Sequence, residues 1–152
     1  MRYPVVLFDV GETLIGPRIS FGATYSAELR RHGVELDAAR LDAALRRTAR
    51  AIESEIPPGV DRYRLQPGGE RAYWQRFSAR VLADALGREE PELANAALDG
   101  LREAFRRVES WRVYDDSRPT LEALRAAGCR LGVVSNWDSR LIEVLKLLEL
   151  DA

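Results

Sequence analysis

The stretch Val5-Val6-Leu7-Phe8-Asp9-Val10-Gly11-Glu12-Thr13-Leu14 decides the fold. Its first four residues are a continuous apolar run rich in β-forming side chains, with Pro4 before it. Such a run predicts a strand that is buried on both faces of a sheet. The polar loop after it places the carboxylate of Asp9 at the carboxyl end of that strand. In open α/β sheets this is the end where ligands bind.

A second run of the same kind, Leu131-Gly132-Val133-Val134, ends at Ser135-Asn136. It predicts a second buried strand, again with polar side chains at its carboxyl end. Asp138 follows shortly afterwards and is expected to cap the last helix. Trp137 is a candidate wall for a site at this strand end. Both predicted strand ends therefore carry residues suited to a functional site.

The segment between the two strands has helical periodicity. Asp37 is a plausible N-cap, and Gly33 and Gly87 are typical stop signals. Pro119 is expected to open a short helix before the second strand, and one more helix follows that strand. The apolar positions that mark the first four helices and the last one are Phe21, Tyr25 and Leu29; Leu41, Leu45 and Ile52; Trp74, Phe77, Val81 and Ala85; Ala97, Leu101, Phe105 and Val108; and Leu141, Ile142, Leu145 and Leu148.

The composition fits a globular protein, with 46% apolar and 31% charged residues in 152 positions. The 23 basic and 24 acidic residues nearly cancel, which gives little support for nucleic-acid binding. The start of the chain has the pattern neither of a secretory signal nor of a membrane span, so we expect a cytoplasmic protein without a membrane partner. With one cysteine, Cys129, and one histidine, His32, neither a disulfide framework nor a histidine-based catalytic triad is supported.

Two predicted strands cannot make a stable parallel sheet, because strands buried on both faces need neighbours. The chain also stops at Ala152, where a further strand would normally follow the last helix. We therefore hypothesise that the sequence is the N-terminal portion of a longer protein with an incomplete core.

The segment Leu7 to Leu14 resembles the first motif of the haloacid dehalogenase-like (HAD) superfamily, whose usual form is Asp-x-Asp-Gly-Thr-Leu. The segment Leu131 to Asn136 resembles its second motif, an apolar strand that ends in Ser or Thr. The stretch between the motifs is similar to the helical cap of the family. The resemblance implies an α/β, Rossmann-like HAD core, made of residues 1–16 and 112–152, with an all-helical cap at 17–111.

The resemblance implies a role for each matching residue. Asp9 corresponds to the nucleophile, which forms an aspartyl intermediate, and Thr13 to the residue that supports the loop at the phosphate site. Ser135 corresponds to the hydroxyl that binds the transferring phosphoryl group, and Asn136 to a residue that orients it. The implied activity is phosphatase-type hydrolysis of a small phosphorylated metabolite, so the expected partner is a small-molecule substrate.

Gly11 departs from the family pattern, because phosphatases of this family usually have an Asp there as general acid and base. The adjacent Glu12 is an alternative candidate for this role, but in an extended loop it lies on the other side and is expected to face solvent. Dehalogenases of the family also lack the second Asp, since a halide leaving group needs no proton. Two alternatives therefore stay open: 2-haloacid dehalogenase-type hydrolysis without metal, and a non-catalytic HAD-fold binding module.

The family's third and fourth motifs, a cationic residue and an acidic metal-binding pair, have no good match in these residues. Lys146, the one lysine, lies too soon after the second motif. We expect Mg²⁺ in the complete protein, with Asp9 and the backbone carbonyl of Gly11 as ligands. These two give only half a site, because Mg²⁺ prefers carboxylates together with waters and substrate phosphate. We therefore predict that this chain alone binds Mg²⁺ poorly and is inactive.

Overall fold

The computed structural model describes residues 4–65 and 67–151, and the chain divides into two compact units. The core unit contains the described residues up to Arg18 and from Arg106 onward, and the helical unit is Ile19–Phe105. The predicted ranges 1–16, 17–111 and 112–152 include residues 1–3, 66 and 152, which lie outside the described residues. We describe each unit by itself.

The core unit contains both strands and helices, whereas the regular elements among the described residues of the helical unit are all helices. In chain order the elements are β1 (Val5–Phe8), β2 (Ile15–Pro17), α1 (Phe21–Arg31), α2 (Ala38–Glu55), α3 (Gly69–Leu86), α4 (Pro91–Ala104), a 3₁₀ turn (Val108–Ser110), β3 (Trp111–Val113), α5 (Ser117–Ala126), β4 (Arg130–Val133) and α6 (Arg140–Leu147).

The two strands predicted from the sequence, β1 and β4, pair in parallel. Their register matches Val5 with Arg130 and Phe8 with Val133. The Val134 N–H continues the ladder by donating to the Phe8 carbonyl at 2.9 Å. The parallel pairing confirms the predicted α/β class and sets the carboxyl ends of both strands side by side.

The prediction that β1 is buried on both faces is wrong for the described residues. Leu7 is 60% exposed and Val134, just beyond β4, is 63% exposed, while Val6 and Phe8 are half-buried. A parallel strand becomes buried on both faces only when further strands and covering helices surround it. Among the described residues, β1 and β4 pair only with each other, and the face that carries Val5, Leu7 and Val134 is exposed.

The sequence did not predict β2 and β3, which pair antiparallel with Gly16 opposite Arg112 and Pro17 opposite Trp111. Each strand has three residues, which is too short to show a period of two. The Arg18 N–H extends the pairing by donating to the Ser110 carbonyl at 2.9 Å. This strand pair stands where the chain leaves the core unit and returns to it.

The helix signals of the sequence are largely confirmed. The Asp37 side chain caps α2 by accepting the Arg40 N–H at 3.0 Å, and Gly87 ends α3 with a φ of 74°. Two predictions are wrong at the boundaries. Val108 lies in the 3₁₀ turn beyond α4, and α5 begins at Ser117, so Pro119 stands inside its first turn, where proline is tolerated.

The helical unit buries a core that α1, α2, α3 and α4 all contribute to. Tyr25 and Ser78 share a buried hydrogen bond of 3.1 Å between their hydroxyl groups. Glu28 is 6% exposed and is held by Arg31 at 2.7 Å and by His32 at 3.2 Å. None of the described helices is both long enough and apolar enough to cross a membrane.

Gly22 marks a close approach of α1 and α2, because a Cβ added there would lie 2.1 Å from the Ala38 carbonyl oxygen. We expect Gly22→Ala to lower the free energy of unfolding by about 3 kcal/mol, since a backbone atom must move. Gly33→Ala is the control: its φ of 76° is unfavourable for alanine, but no atom lies within 4 Å, so a loss of about 1 kcal/mol is expected. Urea denaturation followed by circular dichroism compares the two, and equal losses would contradict the close approach.

Candidate functional site

The parallel register brings Asp9 and Ser135 to the same edge of the sheet. Phe8 and Val133 are the last paired residues of β1 and β4, so Asp9 follows one strand end and Val134-Ser135 follow the other. Neighbouring strands lie about 4.8 Å apart. Two polar side chains that are more than a hundred positions apart in the chain therefore start from neighbouring backbone positions.

The loop after β1 is closed around the backbone carbonyl of Val10. This carbonyl accepts the N–H groups of Thr13, Leu14 and Ile15 at 3.2, 2.9 and 3.1 Å. Val10 itself is fully buried, which anchors the loop to the core unit. The turn therefore has a defined backbone path directly after Asp9.

Asp9 is exposed, and one of its carboxylate oxygens is fixed locally. Its Oδ1 accepts the Val10 N–H at 2.7 Å. Because Val10 is buried, this hydrogen bond ties the exposed carboxylate to a rigid point.

Gly11 and Glu12 face different neighbours. A Cβ added at Gly11 would lie 3.9 Å from Cζ3 of Trp137, an ordinary van der Waals distance. Glu12 has a φ of 58°, and its Oε2 accepts the hydroxyl proton of Tyr114 at 3.1 Å. Glu12 is exposed, as the sequence predicted, yet it is tied to a partner that the sequence did not reveal.

Thr13, the predicted phosphate-site residue, is exposed and donates its N–H to the Val10 carbonyl. It belongs to the same closed loop as Asp9. Ser135 is half-buried and Asn136 is exposed, both in the segment between β4 and α6. The structure thus brings Asp9 and Ser135 to one edge.

Tyr114 and Ser117, which come much later in the chain, form hydrogen bonds that hold this loop in place. The Leu14 carbonyl accepts the Tyr114 N–H at 3.1 Å and the buried Ser117 hydroxyl at 2.9 Å. Sequence reasoning missed both residues. The one available signal was Gly16, since any side chain there would collide with the Tyr114 hydroxyl, 2.4 Å from an added Cβ.

The segment after Ser135 is held by a buried ion pair between Asp138 and Arg140. Both carboxylate oxygens of Asp138 accept from the guanidinium, and Oδ1 also accepts the Arg140 N–H at 3.0 Å. Ser139 occupies the N-cap position of α6, so the prediction of Asp138 as N-cap is wrong by one residue. Asp138 instead supports the start of α6 by accepting the backbone N–H of Arg140.

Two tryptophans wall the region next to Gly11. The rings of Trp111 and Trp137 have centroids 4.6 Å apart. Trp111 is 4% exposed and anchors β3, and so holds the ring of Trp137 in place. The position where the family pattern has an acidic residue therefore faces an aromatic surface.

The Tyr114 hydroxyl is kept neutral by its surroundings. Burial raises the pKa of Tyr114 above its usual value of 10.0, and the hydrogen bond and negative charge of Glu12 raise it further. Arg112, whose guanidinium lies 5.2 Å from the ring centroid, acts in the opposite direction. Tyr114 therefore stays a hydrogen-bond donor to Glu12 at neutral pH.

The predicted metal ligands supply one carboxylate. Within residues 4–65 and 67–151, no group of three or more His, Cys, Asp or Glu side chains is arranged to hold a metal ion. Asp9 and the carbonyl of Gly11 therefore do not by themselves make a Mg²⁺ site. We derive no chemical step through a metal from these residues.

A protein-family model described as haloacid dehalogenase-like hydrolase matches residues 3–152. The chain belongs to this family of hydrolases. Three relatives in vertebrates are named haloacid dehalogenase-like hydrolase domain-containing protein 3. The chain is 34% identical to the Danio rerio protein over 148 residues, 26% to that of Xenopus tropicalis over 143 and 28% to that of Homo sapiens over 145.

These alignments use almost all of this HAD-like chain but only part of the relatives. They cover 94–96% of the chain and 60%, 74% and 56% of the Danio, Xenopus and human proteins, respectively. The chain thus spans little more than half the length of two of these three relatives.

Two solved structures share the fold of this HAD-like chain. One is from Clostridium difficile and is described as a putative phosphatase. It matches with a TM-score of 0.63 and 19% identity, and the match covers 99% of this chain and 58% of that one. The other is a HAD family hydrolase from Deinococcus radiodurans with bound phosphate and sodium, with a TM-score of 0.57, 18% identity, and coverage of 98% and 54%. The chain therefore has a mixed α/β HAD fold with a partial core.

Replacing Glu12 tests the contact with Tyr114. We expect Glu12→Gln to lower the pKa of Tyr114, because the negative charge that disfavours the tyrosinate is removed. Tyrosinate absorbance during an alkaline titration measures this, and Tyr114→Phe identifies which transition belongs to Tyr114.

The matched control is Glu35→Gln, at an exposed position of the helical unit, which should leave the transition unchanged. A raised folded-state pKa also means that the neutral phenol stabilises the fold below about pH 10, and that this contribution disappears as pH rises through the folded-state pKa. An unchanged transition in Glu12→Gln would contradict the hydrogen bond.

Proposed function

We propose that the protein hydrolyses a small phosphorylated molecule through a covalent intermediate on Asp9. The observation that carries this proposal is the register of β1 and β4, which sets Asp9 beside the segment that carries Ser135. A nucleophilic carboxylate and a hydroxyl donor at the carboxyl ends of adjacent parallel strands are suited to hold and attack an anionic group.

In the proposed first step, Oδ2 of Asp9 attacks the phosphorus atom, and the bond from phosphorus to the leaving oxygen breaks. The acyl phosphate on Asp9 is then attacked by water, which releases inorganic phosphate and restores the carboxylate. The hydrogen bond from the Val10 N–H to Oδ1 fixes the direction of the carboxylate during both steps. Two steps with lower barriers replace one difficult step.

Ser135 and Asn136 would donate hydrogen bonds to the phosphoryl oxygens, where negative charge accumulates. Thr13 would keep its loop in the conformation that presents Asp9, as its N–H to the Val10 carbonyl suggests. The leaving oxygen must take its proton from water, because Gly11 has no acidic side chain. This predicts that esters with good leaving groups are the better substrates.

Mg²⁺ remains our prediction for the complete protein. Asp9 and the Gly11 carbonyl would supply two of its ligands, and when bound the ion would neutralise charge between carboxylate and phosphate. The helical unit would act as the cap that excludes water and selects the substrate. Its all-helical architecture and its insertion between β2 and β3 support this role.

A second candidate is hydrolysis of a 2-haloacid without metal. The aromatic wall at Gly11 favours it, since Trp137 offers an apolar surface and no proton donor is needed there. Asp9 would displace halide from carbon, and water would then cleave the resulting ester. A third possibility is a non-catalytic binding module. The absence of both phosphatase and dehalogenase activity would support it.

Assays of the full-length protein on phosphate esters and on 2-haloacids, with and without Mg²⁺, distinguish between these functions. We expect phosphate release that falls about 10³-fold or more in Asp9→Asn and about 10²-fold in Ser135→Ala. Glu35→Gln, far from Asp9 in the sequence, is the control. Turnover that is unaffected by Asp9→Asn would remove the nucleophile from the proposal.

Gly11→Asp should raise phosphatase activity, because the missing general acid contributes roughly 10²- to 10⁴-fold. The backbone of Gly11 does not have a positive φ, and an added Cβ meets Trp137 at an ordinary distance, so the variant is expected to fold. Gly11→Asn is the matched control, because its side chain has nearly the size of the Asp side chain but carries no acidic proton. A gain in both variants, or in neither, would contradict the assignment.

The chain of 152 residues alone is expected to be inactive, since it supplies half of the metal ligands. The same phosphate-release assay tests this. Robust turnover that depends on Asp9 would show that these residues are sufficient.

A further inference from the structure

The core unit contains an open groove of about 590 Å³ that includes neither Asp9 nor Ser135. It is lined by Arg18, which directly follows β2, by β3 and the residues after it, by the start of α5 and by the end of α6. Its size lies within the range of 300–1,000 Å³ that is usual for small-molecule sites. The lining thus excludes the two residues that we assign to the reaction, although Tyr114 lines the groove and also contacts Glu12 in the loop after Asp9.

Arginines are concentrated in this groove. Arg18, Arg112 and Arg118 line it, against two acidic residues, Asp115 and Glu149. Arg118 is engaged by the backbone, because its guanidinium donates to the carbonyls of Leu148 at 2.5 Å and Glu149 at 3.3 Å. The other two arginines form no ion pair among the described residues.

The strand pairing explains why the two remaining arginines meet in the groove. Gly16 lies directly opposite Arg112, and Arg18 follows Gly16 by two residues, so all three belong to the same face of the strand pair. Since Gly16 has no side chain, the Tyr114 ring fits over it, and Arg112 lies 5.2 Å from the centre of that ring. An aromatic floor thus lies beneath one of the two guanidiniums.

We propose that this groove binds a small polyvalent anion of the phosphate type, held by Arg18 and Arg112. Guanidinium groups form paired, charge-assisted hydrogen bonds with phosphate oxygens. The Tyr114 ring orients Arg112 from below, and Arg118 adds positive charge while it caps the end of α6. The site does not depend on the proposed reaction at Asp9.

Titration calorimetry of the 152-residue chain with inorganic pyrophosphate at low ionic strength tests this site. We expect saturable binding of one ion that weakens about tenfold or more in the double variant Arg18→Gln with Arg112→Gln, and that weakens as salt is added. The control double variant, Arg46→Gln with Arg50→Gln on the exposed face of α2, removes the same charge and should bind like the parent chain.

Two further variants separate the groove from the reaction site. Ser135→Ala and Asp9→Asn should leave pyrophosphate binding unchanged, whatever their effect on turnover. Equal weakening in both arginine double variants would indicate general attraction to positive charge and would overturn the proposal. Loss of binding in Ser135→Ala with retention in the groove variant would overturn it as well. Circular dichroism of each variant confirms that the fold is intact.

Discussion

The parallel pairing of β1 with β4 is the interaction on which the rest of the core unit depends. It joins segments that begin at Val5 and Arg130, so its register alone decides which loops share an edge. A shift by one residue would turn every side chain of the shifted strand to the other face and would change how Asp9 and Ser135 are oriented to each other. The chemistry proposed here is therefore a consequence of hydrogen bonds between two backbones.

A second set of hydrogen bonds fixes the loop that follows β1. The Val10 carbonyl gathers three N–H groups of the residues that follow it, and the Leu14 carbonyl accepts the N–H of Tyr114 and the hydroxyl of Ser117. The loop is thus fixed by its own backbone and by a distant part of the chain. These hydrogen bonds fix the backbone next to Asp9, so the reaction that we propose there would need less ordering when a substrate binds.

How far the sequence predicted the structure depends on the range of the interactions involved. Helix ends such as Asp37 and Gly87 were predicted because capping is local. The sequence predicted that Asp9 and Ser135 lie at strand ends because each follows an apolar run, and the parallel pairing brings these two ends to one edge. The contact between Glu12 and Tyr114 joins residues 102 positions apart, and no pattern within either segment reveals it. The exposure of Leu7 was mispredicted, because burial of a strand depends on neighbours that its own sequence does not name.

The pairing of β2 with β3 has a consequence for how such a protein can change. The chain leaves the core unit after Arg18 and returns at Arg106, and β2 and β3, which flank the excursion, are hydrogen-bonded to each other. The two ends of the helical segment are thus held next to each other by this strand pair. A replacement of another length adds little closure entropy, since this term grows only logarithmically with length. The β2–β3 strand pair is therefore a suitable junction at which the helical segment can be exchanged, by recombination or by design. The edge that carries Asp9 is not altered by such an exchange.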